Sequence, residues 1–381
     1  MDYFLEQQHK VLRSRIRSWV EKNLIPAHRD ESDIDKAARR FVKQLGQEGF
    51  LAYTAPKKLG GAREQVQARD LCLIREELAR GSALADTMFA VQALGSYPII
   101  IAGSEAQKIR YLPPLGRGEA IGAFALTEPQ AGSDVSSLET QAIGVGRGYR
   151  LKGEKCFISN AGIADTYVVF ASTDPDKKEK GISAFIVEAG TRGLRLKEKT
   201  VLLSPHPVGA LAFDDCAVPE DQLLGNEGEG LKIALGTLDA LRCTVGAAAV
   251  GLAQRALDEA ISYSQKRRQF GHSLSEFQGT QLKLADMATD LEASRLLVYR
   301  AAWAHDHDEK NLPLKSSMAK LFATEAAQRI VDQSLQIHGG MGVVSGNILE
   351  RLYRDVRALR IYEGTSEIQK LIIAKNILKR D

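Results

Sequence analysis

Apolar positions recur with a helical period over the first 120 or so residues. In DIDKAARRFVKQLG, the side chains of Ile34, Ala37, Ala38, Phe41, Val42 and Leu45 fall on one helical face. ARDLCLIREELARG, residues 68–81, repeats that spacing and stops at a glycine, a common helix end. From about 121 to 227 the texture changes. GYRLKGEKCFIS, DTYVVFAST and GISAFIVEAG are short β-branched or aromatic runs cut by Gly, Asn and Asp, which predict strands and turns. From about 228 long apolar stripes return in ALDEAISYSQKRRQF, GTQLKLADMATDLEASRLLVYRAAWAH and SSMAKLFATEAAQRIVDQSLQIHGG. The pattern predicts an α+β chain, mostly α. It divides into an N-terminal helical domain (1–120), a middle β-barrel or sandwich domain (121–227) and a C-terminal four-helix bundle (228–381).

Length and charge narrow the picture. A chain of 381 residues, 44% hydrophobic and 26% charged, is longer than one core usually covers, so two or three subdomains are expected. A net charge of +3, from 51 basic and 48 acidic residues, argues against nucleic-acid binding driven by bulk charge. Cys72, Cys156, Cys216 and Cys243 are widely spaced with no CxxC pair, which suits reduced thiols of a cytoplasmic protein better than a disulfide frame or a zinc site. The start, MDYFLEQQHK, lacks the basic-then-apolar order of a secretion signal, and no transmembrane helix is expected.

The common cofactor motifs are missing or weak. GVGRGY at 144–149 is not GxGxxG and reads as a β-turn. No GxxxxGK[ST] or GxSxG stretch occurs. His305 and His307 lie two apart, so they share no helical face, and a solvated helix end accounts for them better than a metal site does.

The most pointed question comes near the end. In RIYEGTSEIQ, residues 360–369, Glu363 stands between Tyr362 and Gly364. A carboxylate is costly in apolar surroundings, so Glu363 is either a surface charge or a base held out of water. Three stretches bear on this: FALTEPQAGSD (124–134), RRQFGHSLSEFQ (267–278) and the run from Gln336 to Gln369, QIHGGMG…RLYRDVRALRIYEGTSEIQ. Taken in order, they resemble the acyl-CoA dehydrogenase family of flavoproteins, and the resemblance covers essentially the whole chain. It implies FAD and a two-electron oxidation of an acyl thioester. A proton leaves the α-carbon, a hydride leaves the β-carbon for flavin N5, and a trans-2-enoyl thioester results.

By the same resemblance Glu363 matches the family's base. An α-proton beside a thioester is weakly acidic, so the base must be close and its pKa raised, which a water-poor pocket does. Family members that carry the base on another helix have it where this chain has Leu241, in LGTLDALRC, and leucine cannot take a proton. The resemblance places Phe124, Leu126, Thr127 and Ser133 at the pyrimidine end of the flavin, Phe157 on its face and Ser159 near N5. Arg267, Phe270 and Gln278 would meet the FAD of a neighbouring subunit in a homotetramer. Gln336, Gly339 and Gly340 would let the backbone approach the dinucleotide, and Thr365 and Glu367 would reach its adenosine half. Taken singly, the aromatics also read as core, Arg267 as a solvated charge and the glycines as helix ends. Ser133, Asp239, Arg242 and Gly364 match positions near the thioester arm, though Asp239 and Arg242, three apart, also suit a plain helical ion pair. An electron-transfer flavoprotein, or oxygen in an oxidase variant, would take the electrons.

Two departures stand out. SPHPVGA, 204–210, replaces a Ser/Thr-rich turn with a stiffer loop. This leaves open a substrate carried on acyl-carrier protein instead of CoA. Asp86 falls near the floor of the family's acyl pocket. There it is either a substrate-facing anion, repelling diacids and drawing a cationic or hydroxylated acyl group or acting as an extra base for a ring substrate, or an N-cap. A flavin scaffold without catalysis is the alternative from another functional class.

Overall fold

A computed structural model describes residues 2–25 and 33–378. The first third is helical, with α1 (Gln7–Asn23), α2 (Ile34–Gln47), α3 (Ala68–Gly81), α4 (Ala83–Ala102) and α5 (Glu105–Gly116). Strands follow: β1 (Gly122–Ala125), β2 (Gln141–Gly144), β3 (Gly148–Ser159), β4 (Thr166–Ser172), β5 (Ile182–Glu188), β6 (Leu194–Lys199), β7 (Val208–Pro219) and β8 (Leu223–Leu224). The last stretch holds α6 (Gly230–Lys266), a small ribbon of β9 (Arg268–Gln269) and β10 (His272–Ser273), then α7 (Gln278–Asp306), α8 (Leu312–His338), α9 (Ile348–Arg357) and α10 (Ser366–Ile377). The helix–sheet–helix order read from the hydrophobic pattern is present. The Gly-rich stretch at 144–149 is the turn between β2 and β3, closed by Val145 N–H on the Gly148 carbonyl (2.9 Å).

Two compact units make up the described residues. One draws on Met1–His28, Gln67–Asp86 and Asp239–Asp381, the other on Arg29–Val66 and Thr87–Leu238. In the second unit the sheet runs β6-β7-β3-β2-β4-β5-β8, with β1 added in parallel to β4. β4 is buried on both faces, and its Phe170 joins Ile99, Leu112, Leu115 and Ile186 in the core. β3 pairs antiparallel with β7, but the register slips between Lys155 and Ile158. Such a bulge re-aims side chains. Here it puts Phe157 at φ 53° and leaves the residue 62% exposed.

A buried ion pair fixes the segment before that bulge. Lys155 Nζ donates to Glu128 Oε1 (2.6 Å) and to the Leu126 carbonyl (3.0 Å), with no exposed surface on the lysine. Glu128 also accepts from the N–H groups of Glu139 (2.6 Å) and Thr140 (3.1 Å). Burial pushes the Lys155 ammonium down to about 8 against the pull of Glu128, so it stays charged at neutral pH. The pair ties the loop 126–128 to β3.

In the first unit α3 departs from a simple amphipathic helix. Both of its faces are buried, including Arg69, Asp70, Arg75, Glu76 and Glu77. Charges survive there because they are paired. Arg69 meets Asp306 (2.7 Å), and Glu76 accepts from Arg295 (3.0 Å) and from the Tyr299 hydroxyl (2.7 Å). α6, α7 and α8 approach closely at Gly246, where a Cβ would lie 2.7 Å from Val298 and 3.3 Å from the Ala319 carbonyl. α4 and α6 are long and apolar enough to cross a membrane by length and composition. However, 72% and 78% of those windows are buried inside the fold, which accounts for their apolar sequence.

Lys155→Met is expected to cost about 3–5 kcal/mol, the usual penalty for leaving a buried partner charge uncompensated. Urea unfolding of the variant beside Lys155→Met/Glu128→Leu checks it. The double variant, with no stranded charge, recovers part of the loss.

Candidate active site

Glu363 sits on a backbone kink in the first unit. It adopts φ 53° and Gly364 follows at φ 89°. Left-handed backbone costs a residue with a Cβ roughly 1–2 kcal/mol, so the surroundings must hold it. At 364 glycine suits the turn because φ 89° strains any residue with a Cβ, which would also crowd Gln369 Nε2 at 2.6 Å. Two buried side chains clamp the turn. Lys320 Nζ, on α8, donates to the Gly364 carbonyl (2.7 Å), and Gln369 Nε2, on α10, donates to the Gly364 (2.9 Å) and Glu363 (3.2 Å) carbonyls. Thr365 caps α10, its hydroxyl accepting from Ile368 N–H (3.3 Å).

The carboxylate itself is left unspent. Glu363 Oε2 is buried and has no hydrogen-bond partner. Burial raises its pKa above the ordinary carboxylate value, while the charges of Arg75, Lys320 and Arg242 pull the other way. Lys320 is fully buried, and burial brings its own pKa down to about 8. An acid in this setting can accept a proton from a nearby donor and return it.

The structure corrects the reading of Asp86. Its two oxygens take Arg75 Nε (2.8 Å) and Nη2 (2.9 Å), and both side chains are nearly inaccessible. Arg75 Nη1 continues to Thr244 Oγ1 (2.9 Å), and Tyr362 also lies within its hydrogen-bonding reach. The bidentate pair is close to neutral, so Asp86 is neither a bare anion nor the N-cap. The capping contact is made by Ser82, whose hydroxyl accepts from Ala85 N–H (3.3 Å). Arg242 is bonded to Asp239 one helical turn away; Arg242 is buried and keeps its Nε unpaired.

The residues expected around a flavin fall into both units. In the second, Phe124 lies on β1 with its ring 4.9 Å from Phe170. The Leu126 and Thr127 carbonyls accept from Lys155 and from Cys156 N–H (3.0 Å), while Ser133 is exposed. Phe157 projects from the bulge, and Ser159 Oγ is 3.2 Å from His206 Nε2. In the first, Arg267, Gln278, Gln336 and Glu367 are exposed, and Phe270 is 90% exposed at φ 54°. Gly339 and Gly340 have open space where a Cβ would be. The two histidines of AHDHDE lie at the end of α7, His305 beside Asp306 and His307 stacked on Trp303.

Similarity to known proteins agrees with these features. Three family models match: the acyl-CoA dehydrogenase N-terminal domain over 6–119, the middle domain over 123–216 and the C-terminal domain over 228–378. The chain belongs to the acyl-CoA dehydrogenase family. An acyl-CoA dehydrogenase of Bacillus subtilis is 41% identical over 375 residues, 98% of each chain. The butyryl-CoA dehydrogenase structure from Megasphaera elsdenii superposes with a TM-score of 0.92 at 35% identity, covering 98% of this chain and 99% of that one. A structure of PigA with FAD and proline gives 0.90 at 30% identity, over 99% of both chains. The enzyme is an oxidoreductase of the acyl-CoA dehydrogenase type, and its cofactor is FAD. Each unit carries groups whose chemistry fits that cofactor: in the second, an exposed phenylalanine on left-handed backbone, and in the first another such phenylalanine, bare glycine backbone at 339–340 and the exposed Arg267.

Sequence reasoning missed Arg75, Thr244, Lys320 and Gln369. Lys320 had left one signal. It lies on the same stripe of α8 as Ser316, Ala323, Thr324 and Ala327, all buried, where a lysine needs a partner.

Glu363→Gln is expected to stabilise the fold at neutral pH. The raised folded-state pKa means the charged form is what burial disfavours. Wild type therefore falls behind the variant as pH rises past the ordinary carboxylate value of 4.5, and the difference closes below it. Unfolding midpoints across pH 4–8 (roughly, the range where carboxylates and histidines titrate) check the sign.

Proposed function

We propose that the enzyme oxidises the Cα–Cβ bond of an acyl-CoA thioester to the trans-2-enoyl product, with Glu363 as the base that takes the α-proton. The observation that carries this is the Glu363 carboxylate: buried, raised in pKa and without a partner at Oε2. Structural carboxylates in this fold are paired, as Glu76, Glu128 and Asp306 are. A base kept for substrate is not.

The chain's own residues have distinct parts. Lys320 and Gln369 hold the Glu363–Gly364 turn through its carbonyls, and the backbone N–H of Glu363 would donate to the thioester oxygen. Arg75, Lys320 and Arg242 moderate the rise in the base's pKa that burial causes. The Arg75–Asp86 pair presents no net charge, which favours an uncharged acyl group over a cation or a diacid. FAD, when bound, accepts the two electrons and the hydrogen that leaves the β-carbon.

Phe124, Leu126, Thr127, Ser133, Phe157 and Ser159 would hold the isoalloxazine, and Gln336, Gly339, Gly340, Thr365 and Glu367 the dinucleotide. Arg267, Phe270 and Gln278 would serve the FAD of a neighbouring subunit in a homotetramer; the 90% exposure of Phe270 supports that role. Electron-transfer flavoprotein is the proposed acceptor, and 1–120, 121–227 and 228–381 the proposed domain limits.

Anaerobic spectra of the yellow protein, taken against straight, branched, cyclic, dicarboxylic and amino-bearing acyl-CoAs, test the reading. An uncharged acyl-CoA is expected to bleach the flavin band. Glu363→Gln is expected to bind FAD but bleach about 10²–10⁴-fold more slowly, the usual worth of a positioned base. A variant that keeps the wild-type rate removes Glu363 from the role.

Lys320→Met removes both a clamp and a positive charge. Expected are an upward shift of the pH midpoint for bleaching and a rate lower by up to about 10²-fold, as for a misplaced catalytic group. Stopped-flow traces over a pH series check it, with Lys320→Arg restoring the midpoint because it restores the charge.

A further inference from the structure

The loop SPHPVGA brings a histidine to the one hydroxyl expected beside flavin N5. Ser159 closes β3 and pairs with Val208 at the start of β7, so the residues just before Val208 pass alongside it. His206 lies between Pro205 and Pro207, whose rings restrict the backbone on either side. Asn160 N–H donates to the Pro207 carbonyl (2.8 Å), and Thr200 N–H to the Val208 carbonyl (2.8 Å). The chain is thus pinned at Pro207 and Val208, directly after the imidazole.

The tautomer follows from the partners. His206 Nδ1 is 3.2 Å from the Ser204 carbonyl, which can only accept, so Nδ1 carries the hydrogen. Burial keeps the ring's pKa below its ordinary value, and the ring is neutral. Nε2 is then a bare acceptor, 3.2 Å from Ser159 Oγ. The only hydrogen that can make that bond is the serine's own. Ser159 donates to His206, and toward anything else its oxygen can only accept.

That direction matters for a flavin. Oxidised N5 accepts a hydrogen bond, whereas reduced N5 carries a hydrogen and donates one. A hydroxyl free to rotate serves both forms; one already committed as a donor serves the reduced form. We propose that His206 is a positioning residue for the cofactor: it fixes the Ser159 hydroxyl as an acceptor toward N5 and so favours the reduced flavin. This rests on the placement of Ser159 beside N5 proposed above.

The test is the midpoint potential of FAD in the purified holoprotein, read from anaerobic spectra equilibrated with a reference dye. His206→Phe removes the acceptor and frees the serine hydrogen for oxidised N5. The expected result is a more negative potential, with the reduced-to-oxidised ratio falling about five- to tenfold, the worth of one ordinary hydrogen bond. Tenfold corresponds to about 30 mV for a two-electron couple. His206→Asn, too short to reach Ser159, gives the same shift should the phenylalanine variant not fold. In a Ser159→Ala background the His206 substitutions are expected to change nothing further. Equal potentials in wild type and both variants overturn the inference, as does a shift that persists in full without the serine hydroxyl. Yellow protein with unchanged potentials condemns His206 alone, whereas a chain that takes up no FAD overturns the flavin placement as well.

Discussion

A carboxylate held on left-handed backbone, out of water and without a partner is the constraint around which the first unit is arranged. Neither condition maintains itself. The backbone kink needs its carbonyls fixed, and the acid needs nearby positive charge to offset the rise in pKa that burial causes. α8 supplies both. Lys320 reaches the Gly364 carbonyl, and a turn and a half further on Glu325 accepts from Arg360 Nε (2.9 Å) and Ser366 Oγ (2.6 Å). The segment 360–366 is thereby stapled to α8 on both sides of Glu363. α10 begins immediately after, capped by Thr365 and returning Gln369 to the same turn.

The charges around the base form a balance. Arg75, Lys320 and Arg242 lower the pKa that burial raises, while Asp86 adds to the rise. Arg75 and Arg242 each bring a counter-ion, Asp86 and Asp239. Lys320 is different: its hydrogen bond goes to a neutral carbonyl. Of the three cations it is therefore the one whose charge is least cancelled by a partner on the same contact. Removing its charge would disturb the base more directly than removing that of a neutralised arginine.

Much of this was legible from the sequence, for identifiable reasons. Glu363 was legible because Tyr362-Glu363-Gly364 falls within a run that resembles the family's; on its own the acid reads equally as a surface charge. α2 and α3 could be placed because apolar spacing and an end glycine survive any packing. Arg75 and Lys320 were hidden because a charge within a helical pattern reads as solvent-facing, and only the tertiary fold shows that both faces of α3 are covered. Asp86 left both an anion and an N-cap open because its partner, Arg75, lies eleven residues away on a different helix. The loop at 204–210 was visibly unusual, but its contact with Ser159 depends on the β3–β7 register, which side-chain pattern alone does not give.

Backbone strain marks the same positions by an independent route. Among the described residues, the non-glycine positions at positive φ are Phe157, Asn160, Lys178, Asp215, Phe270, Asp308, Asn311 and Glu363. Asn and Asp tolerate that conformation, since their short polar side chains bond locally. Setting those aside leaves Lys178, Phe157, Phe270 and Glu363. Three of these four are residues that the motifs had singled out, two aromatics for the flavin and one acid for the substrate. Bulky side chains accept such strain only where something is gained by aiming them outward, and Phe157 and Phe270 are largely exposed in consequence. Aromatic rings exposed at such cost suit a flat, apolar ligand, and the unpaired acid suits a proton. The strained backbone therefore favours the flavin and thioester reading on physical grounds that owe nothing to sequence similarity.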